Sequence, residues 1–114
     1  MTTLFHRTCE HRLPEILEAG ELRPSVHATL GYRFIWLTSL ASATREQLGL
    51  TSHTLECDRM THLLRIDEGV GMMPWSTVRN HLPIEPVRHL EATKGTLPAI
   101  WWVGAAPLRF EVVS

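Results

Sequence analysis

The chain opens on a short apolar run, Leu4-Phe5-His6-Arg7-Thr8, and then changes period. Residues 4–7 read as a strand. Beyond them Leu13, Ile16 and Leu17 recur at i, i+3 and i+4, the stripe of an amphipathic helix over 12–19. Pro14 suits its first turn, where a missing N–H costs nothing. Gly20 stands where a left-handed residue ends a helix, and Leu22 can fold back on the stripe. The polar stretch 23–32, with Pro24 and Gly31, reads as a loop. Residues 34–38 form a second strand. Ser39 or Ser42 can cap a second helix that runs through Leu48 and ends at Gly49.

Residues 51–59 show no clear period and fit either a loop or an irregular edge strand. Leu63, Leu64 and Ile66 mark a third strand over 62–67, broken by Gly69 and Gly71. Residues 74–82 read as a short helix with Trp75, Val78 and Leu82 on one face. Pro83 and Pro86 punctuate the chain, and 87–92 fit strand or helix equally. Residues 99–103 and 108–113 are the last strands, joined by Gly104-Ala105-Ala106-Pro107. In the latter, Leu108, Phe110 and Val112 share one face, and Arg109, Glu111 and Val113 the other. Early helices followed by a strand-rich end make an α+β domain, and 114 residues suffice for one domain only, 1–114.

Composition narrows the partners. With 44% hydrophobic and 20% charged residues the chain has the balance of a globular domain rather than a disordered one. A formal net charge of −1 removes the generic basic footprint of a nucleic-acid binder. The longest apolar run, 99–103, is far too short to span a bilayer, and the start lacks the basic-then-apolar pattern of a secretory leader. Two cysteines, Cys9 and Cys57, make no disulfide framework and read as reduced thiols of a cytoplasmic protein. His53-x3-Cys57-x4-His62, with Cys9 and His11 elsewhere, offers metal-ligand types but no paired spacing, so no metal is expected. Phosphate-binding glycine loops, nucleophile elbows and HExxH are absent from the sequence.

The run LFHRTCEHRLPEILEAGELRP, followed by FIWLTS, resembles the first third of the ADP-ribosyltransferase-like superfamily. The likeness is closest to DNA-targeting ADP-ribosyltransferase toxins and the small bacterial and phage proteins near them; tRNA 2′-phosphotransferases belong to the same wider group. It covers residues 4–39 and is looser at Leu63-Leu64-Arg65-Ile66-Asp67 and Leu97-Pro98-Ala99-Ile100-Trp101-Trp102-Val103. The resemblance implies a split antiparallel β-sandwich with short helices packed on it, holding NAD in a cleft. It implies that His6 hydrogen-bonds the ribose beside the nicotinamide, that Thr8 contacts the nicotinamide or its ribose, and that residues 36–39, Trp36 and Thr38 among them, form a wall beneath it. It implies cleavage of the nicotinamide–ribose bond and transfer of ADP-ribose to an acceptor: a nucleic acid, a protein side chain or a small molecule. A late-strand Glu then stabilises the cationic sugar. Glu111 is the first candidate and Glu91 the second, although the family's loop before that Glu has no counterpart here.

Each residue also has a plainer reading. His6 is either this ligand contact or a strand histidine paired with a backbone carbonyl. Thr8 fits a strand-end hydroxyl, and Thr38 and Ser39 a strand terminus with a helix cap. Arg65 and Arg23 fit a pyrophosphate clamp; Arg65 fits equally an ion pair with Asp67 or Glu68. Glu111 fits a solvated position on a half-buried strand. Of Trp101 and Trp102, which point to opposite faces, one reads as core and the other as pocket or interface. The alternative to an enzyme is therefore a nucleotide- or protein-binding module of the same fold, without the catalytic carboxylate.

Overall fold

Strand β1 (Thr3–Thr8) is the axis of the fold. The computed structural model describes residues 3–26, 30–48, 50, 59–67 and 71–114. Helix α1 (Leu13–Ala19) follows β1, then β2 (Ser25–Val26), β3 (Arg33–Thr38), β4 (His62–Asp67) and β5 (Met72–Pro74). Helices α2 (Trp75–Val78) and α3 (Ile84–Glu91) precede β6 (Trp101–Gly104) and β7 (Glu111–Val112). The strands join in the order β5-β6-β3-β1-β4-β7, with β2 beside β3. Every pairing is antiparallel. The molecule is thus a mixed helix and antiparallel-sheet domain, and among the described residues no helix is long and apolar enough to cross a membrane.

Strand alternation sorts the side chains onto two faces. On the first, Leu4, Ile35, Leu37, Leu64 and Ile66 form a buried cluster closed by Leu22 and Leu108, with Leu13 and Ile16 of α1 packed against it. On the second, Trp75, Val78, Val87, Trp101 and Val103 are buried together, with Phe34, Trp36, Leu82 and Leu90 around them. Trp101 and Trp102 lie on opposite faces, and both pack into a core. Burying a side chain of this size contributes about 1.5–3 kcal/mol, so both layers are needed to hold so small a domain.

α1 ends at Gly20, whose φ of 72° is left-handed, and whose N–H reaches the Ile16 carbonyl at 3.0 Å. Leu22 returns to the core and bridges Leu108. α3 resolves 87–91 as helix, with Ala92 at its C-cap. Pro83 caps it and Pro86 sits in its first turn, where backbone N–H groups have no intrahelical acceptor and proline costs nothing. The prolines therefore start this helix rather than interrupt the chain.

The second helix of the sequence reading does not form; residues 45–48 make a single turn. Its cap is neither Ser39 nor Ser42. Thr44 and Gln47 close it reciprocally, Thr44 N–H to Gln47 Oε1 at 2.9 Å and Gln47 N–H to Thr44 Oγ1 at 3.2 Å. Every residue of 38–47 but Leu40 is polar or small, which leaves too little apolar stripe to extend it. The last two strands are shorter than expected. Residues 98–100 form a 3₁₀ turn behind Pro98, and between Leu108 and Glu111 the chain is not paired as a strand. Cys9 is disulfide-bonded, which corrects its reading as a reduced thiol. Cys57, the other cysteine of the chain, lies outside the described residues, as do residues 51–58, Glu68 and Gly69.

Candidate functional site

β1 pairs with β4 along its whole length, from Thr3↔Asp67 to Thr8↔His62. With β3 it pairs at one position only, Phe5↔Thr38. The two central strands part beyond that rung. Two residues along β3, the Trp36 carbonyl accepts a hydrogen bond from His6 Nδ1 at 2.6 Å. A side chain has taken the place of a ladder rung.

That bond fixes the tautomer. A carbonyl accepts only, so Nδ1 carries the hydrogen and Nε2 is left as an acceptor. Burial pushes the His6 pKa below its ordinary 6.5; the Trp36 carbonyl opposes this, and the positive charges of Arg12 and Arg59 reinforce it. The ring is neutral at pH 7. Arg12 comes from the lead-in to α1, where its own N–H bonds the Cys9 carbonyl at 3.2 Å. Arg59 comes from the approach to β4. The charges felt at His6 are both cationic, and no described carboxylate acts on it.

Arg7 was missed by the sequence reading. It stands beside His6 on the other face of β1 and donates to two loop carbonyls, Nη1 to Met60 at 3.3 Å and Nη2 to Ala41 at 3.1 Å. A charged residue flanked by His6 and Thr8 in a core strand was the available signal. Arg12 and Arg59 carried none, since their meeting at His6 depends on the fold.

The other candidates scatter. Thr8 shares the face of His6 but is only 1% exposed. Trp36 and Thr38 belong to the opposite face, so the proposed wall and His6 do not share one side of the sheet. The Trp36 ring packs against Trp75 and Trp101, with centroids 5.1 and 6.0 Å away. Thr38 is buried and its Oγ1 accepts the Leu40 N–H at 3.2 Å, the hydroxyl turn that ends β3. Arg23 is exposed, with Nε 4.0 Å from Glu21.

Neither carboxylate candidate meets His6. Glu111 faces Arg65 across β7 and β4 and forms an ion pair with it. Both lie on the face opposite His6; Arg65 pairs with Glu111, and Glu68 lies outside the described residues. Glu91 accepts Trp75 Nε1 at 2.8 Å and a two-pronged contact from Arg79, Nε and Nη2 each at 2.9 Å. Burial would raise the Glu91 carboxyl, but the Arg79 and Trp75 hydrogen bonds outweigh it and hold it below 4.5. Glu91 is a strut between α2 and α3.

A cavity of about 210 Å³ lies under those helices, lined by Arg79, Asn80, Leu82, Ile84 and Val87. It is smaller than typical ligand pockets and on the far side of the sheet from His6. His53 and Cys57 of the metal-type cluster lie outside the described residues, while the remaining His62 has its Nδ1 3.3 Å from the Ser114 carbonyl oxygen. Among the described residues no group of three or more His, Cys, Asp or Glu could hold a metal. Comparison with protein-family models, curated proteins and solved structures found no match.

Proposed function

We propose that the chain is a nucleotide-binding module of ADP-ribosyltransferase-like type, taking NAD or a related nucleotide where β1 and β3 part. One observation carries the reading: a neutral imidazole, presenting an acceptor at Nε2, stands in a field of two arginines. An acceptor suits a ribose hydroxyl, and a cationic field suits the phosphates of a nucleotide. The finer architecture, a split β-sandwich, belongs to this proposal too; its support is the single rung between β1 and β3.

Transfer of ADP-ribose is the second reading. The same parting of strands favours it, because a cleft at that place is what the resemblance implies. The chemistry weighs against it. Breaking the nicotinamide–ribose bond leaves positive charge on the sugar, and cations beside His6 raise the energy of such a centre. Glu111 and Glu91, which would offset that charge, are engaged elsewhere.

The experiment is a thermal shift with NAD and with ADP-ribose, run beside a nicotinamide-release assay. Binding raises the melting temperature by linkage, with about 2.7 kcal/mol of stabilisation at ligand one hundredfold above Kd. His6→Gln keeps a donor for the Trp36 carbonyl and exchanges the ring's Nε2 acceptor for an amide oxygen at another position; it should abolish the shift. His6→Ala is the poorer variant, since an orphaned carbonyl costs about 1–3 kcal/mol by itself. The expected outcome is a shift without nicotinamide release. Release that Glu111→Gln abolishes would replace this reading by the transferase. No shift with either ligand at millimolar concentration would end both.

A further inference from the structure

The cavity beneath α2 and α3 has a wall of two kinds. Its apolar side comes from Leu82 and from Ile84 and Val87, which stand three apart on one side of α3. Val87 is 1% exposed and Leu82 packs on the same core, whereas Ile84 is 57% exposed. The apolar side thus runs from a sealed floor to an open rim. Its polar side is the 3₁₀ turn Arg79–His81, which follows α2 directly and supplies Arg79 and Asn80. Both side chains have capacity to spare. Arg79 grips Glu91 side-on through Nε and Nη2. A guanidinium carries five N–H donors in one plane, so this grip leaves Nη1, with both its hydrogens, turned away from Glu91. Asn80 donates Nδ2 to the Ser76 carbonyl at 3.2 Å. A carbonyl only accepts, so the amide is oriented with Oδ1 as the end left over. Among the described residues neither Nη1 nor Oδ1 meets a protein partner.

We propose that this cavity is a second binding site, for a small primary carboxamide whose amide spans Arg79 and Asn80 and whose apolar part lies on Leu82, Ile84 and Val87. The wall offers one unspent donor and one unspent acceptor beside an apolar floor. It offers little net charge, because Glu91 already neutralises Arg79 at 2.9 Å. A carboxylate would gain from Nη1 but set its second oxygen against Oδ1. An ester would accept from Nη1 and leave Oδ1 without a donor. A carboxamide satisfies both, its carbonyl accepting from Nη1 and its N–H donating to Oδ1. The volume of about 210 Å³ falls below the roughly 300 Å³ at which pockets for drug-sized ligands begin. The apolar part is therefore one ring or a short branched chain, and a nucleotide is too large. The site is independent of the nucleotide reading, since it lies on the far side of the sheet from His6.

The test compares three probes of one shape: benzamide, benzoate and methyl benzoate. Each is titrated at millimolar concentration into the full chain, labelled for NMR at backbone and side-chain nitrogens and at methyl carbons. Benzamide should shift the Asn80 side-chain amide and the Leu82 and Ile84 methyls together and saturably. Benzoate and methyl benzoate should bind about tenfold more weakly, the loss of one hydrogen bond at a site that then holds an orphaned acceptor. Three variants locate the contacts. Asn80→Ala removes the acceptor from an exposed position; benzamide should weaken about tenfold and methyl benzoate should not, so the two probes converge. Arg79→Lys keeps a cation for Glu91, removes Nη1 and should weaken both. Ile84→Trp fills the cavity from its exposed rim and should abolish binding. Should Arg79→Lys fail to fold because the Glu91 strut is lost, the Asn80→Ala cycle decides. Benzoate or the ester binding wild type as tightly as benzamide overturns the proposal. So does benzamide that shifts none of the lining signals, or whose affinity Asn80→Ala leaves unchanged.

Discussion

The Nδ1 of His6 meets the Trp36 backbone carbonyl, the plainer of its two sequence readings. The ligand contact belongs to the proposal, for which that bond leaves Nε2 as an acceptor. The pair of alternatives was legible because histidine offers two unlike nitrogens. Which neighbours charge the ring was not, since Arg12 and Arg59 are far apart in sequence and their field is a property of the fold. A consequence follows for acid stability. The folded-state pKa lies below the ordinary 6.5, so the unfolded chain binds more protons than the folded one as pH falls beneath that value. The stability His6 contributes is full above 6.5 and is lost as pH falls through the folded value, at no more than about 1.4 kcal/mol per pH unit. Urea denaturation from pH 7.5 downward should therefore show wild type losing stability more steeply than His6→Gln, which does not titrate. Parallel slopes would mean that the ring is not held neutral. Thr8 and Thr38 taught the converse lesson: hydroxyls in strands looked available, and burial on two different faces separates them.

Elements were legible where a period ran long enough. The stripe Leu13, Ile16, Leu17 with Gly20 gave α1, and alternation gave the central strands. Failure came where local chemistry was balanced. Residues 39–48 offered caps without an apolar stripe, and only a turn resulted. Pro83 and Pro86 looked like breaks and proved to be a helix start. The last residue of β6 holds a stricter requirement than its sequence suggests. A Cβ built on Gly104 would lie 2.9 Å from Leu108 Cδ1 and 3.6 Å from Ile35 Cβ. Both neighbours are core residues, so the clash has little room to relax. Gly104→Ala should cost about 1–3 kcal/mol, in the range of other overpacked cores. Leu108→Val should make the second substitution cheaper, and denaturation of the four proteins of that double-mutant cycle would measure the coupling. Additive costs would show that the two residues do not press on each other.

At the scale of the molecule, alternation predicted two half-buried faces but not how the candidate residues would divide between them. That division decided the site: Glu111, Arg65, Trp36 and Thr38 went to one side, His6 and Thr8 to the other. A single shift of register would have reversed it, and register is set by the whole sheet. The Cys9 disulfide was likewise beyond reach, because pairing depends on three-dimensional approach. Titration of the denatured, unreduced protein should find no thiol at Cys9. Cys9→Ser should cost about 2–4 kcal/mol, and reductant should destabilise wild type and leave the variant unchanged. A variant as stable as wild type would remove the bond from the account of the fold. Three of the four tryptophans, Trp36, Trp75 and Trp101, crowd one face with neighbouring centroids 5.1 to 6.0 Å apart, and Trp102 stands alone on the other. Their transition dipoles are close enough to couple, so one side of the sheet shines as a collective chromophore and the other as a single lamp. Light can thus tell which layer of this protein comes apart first.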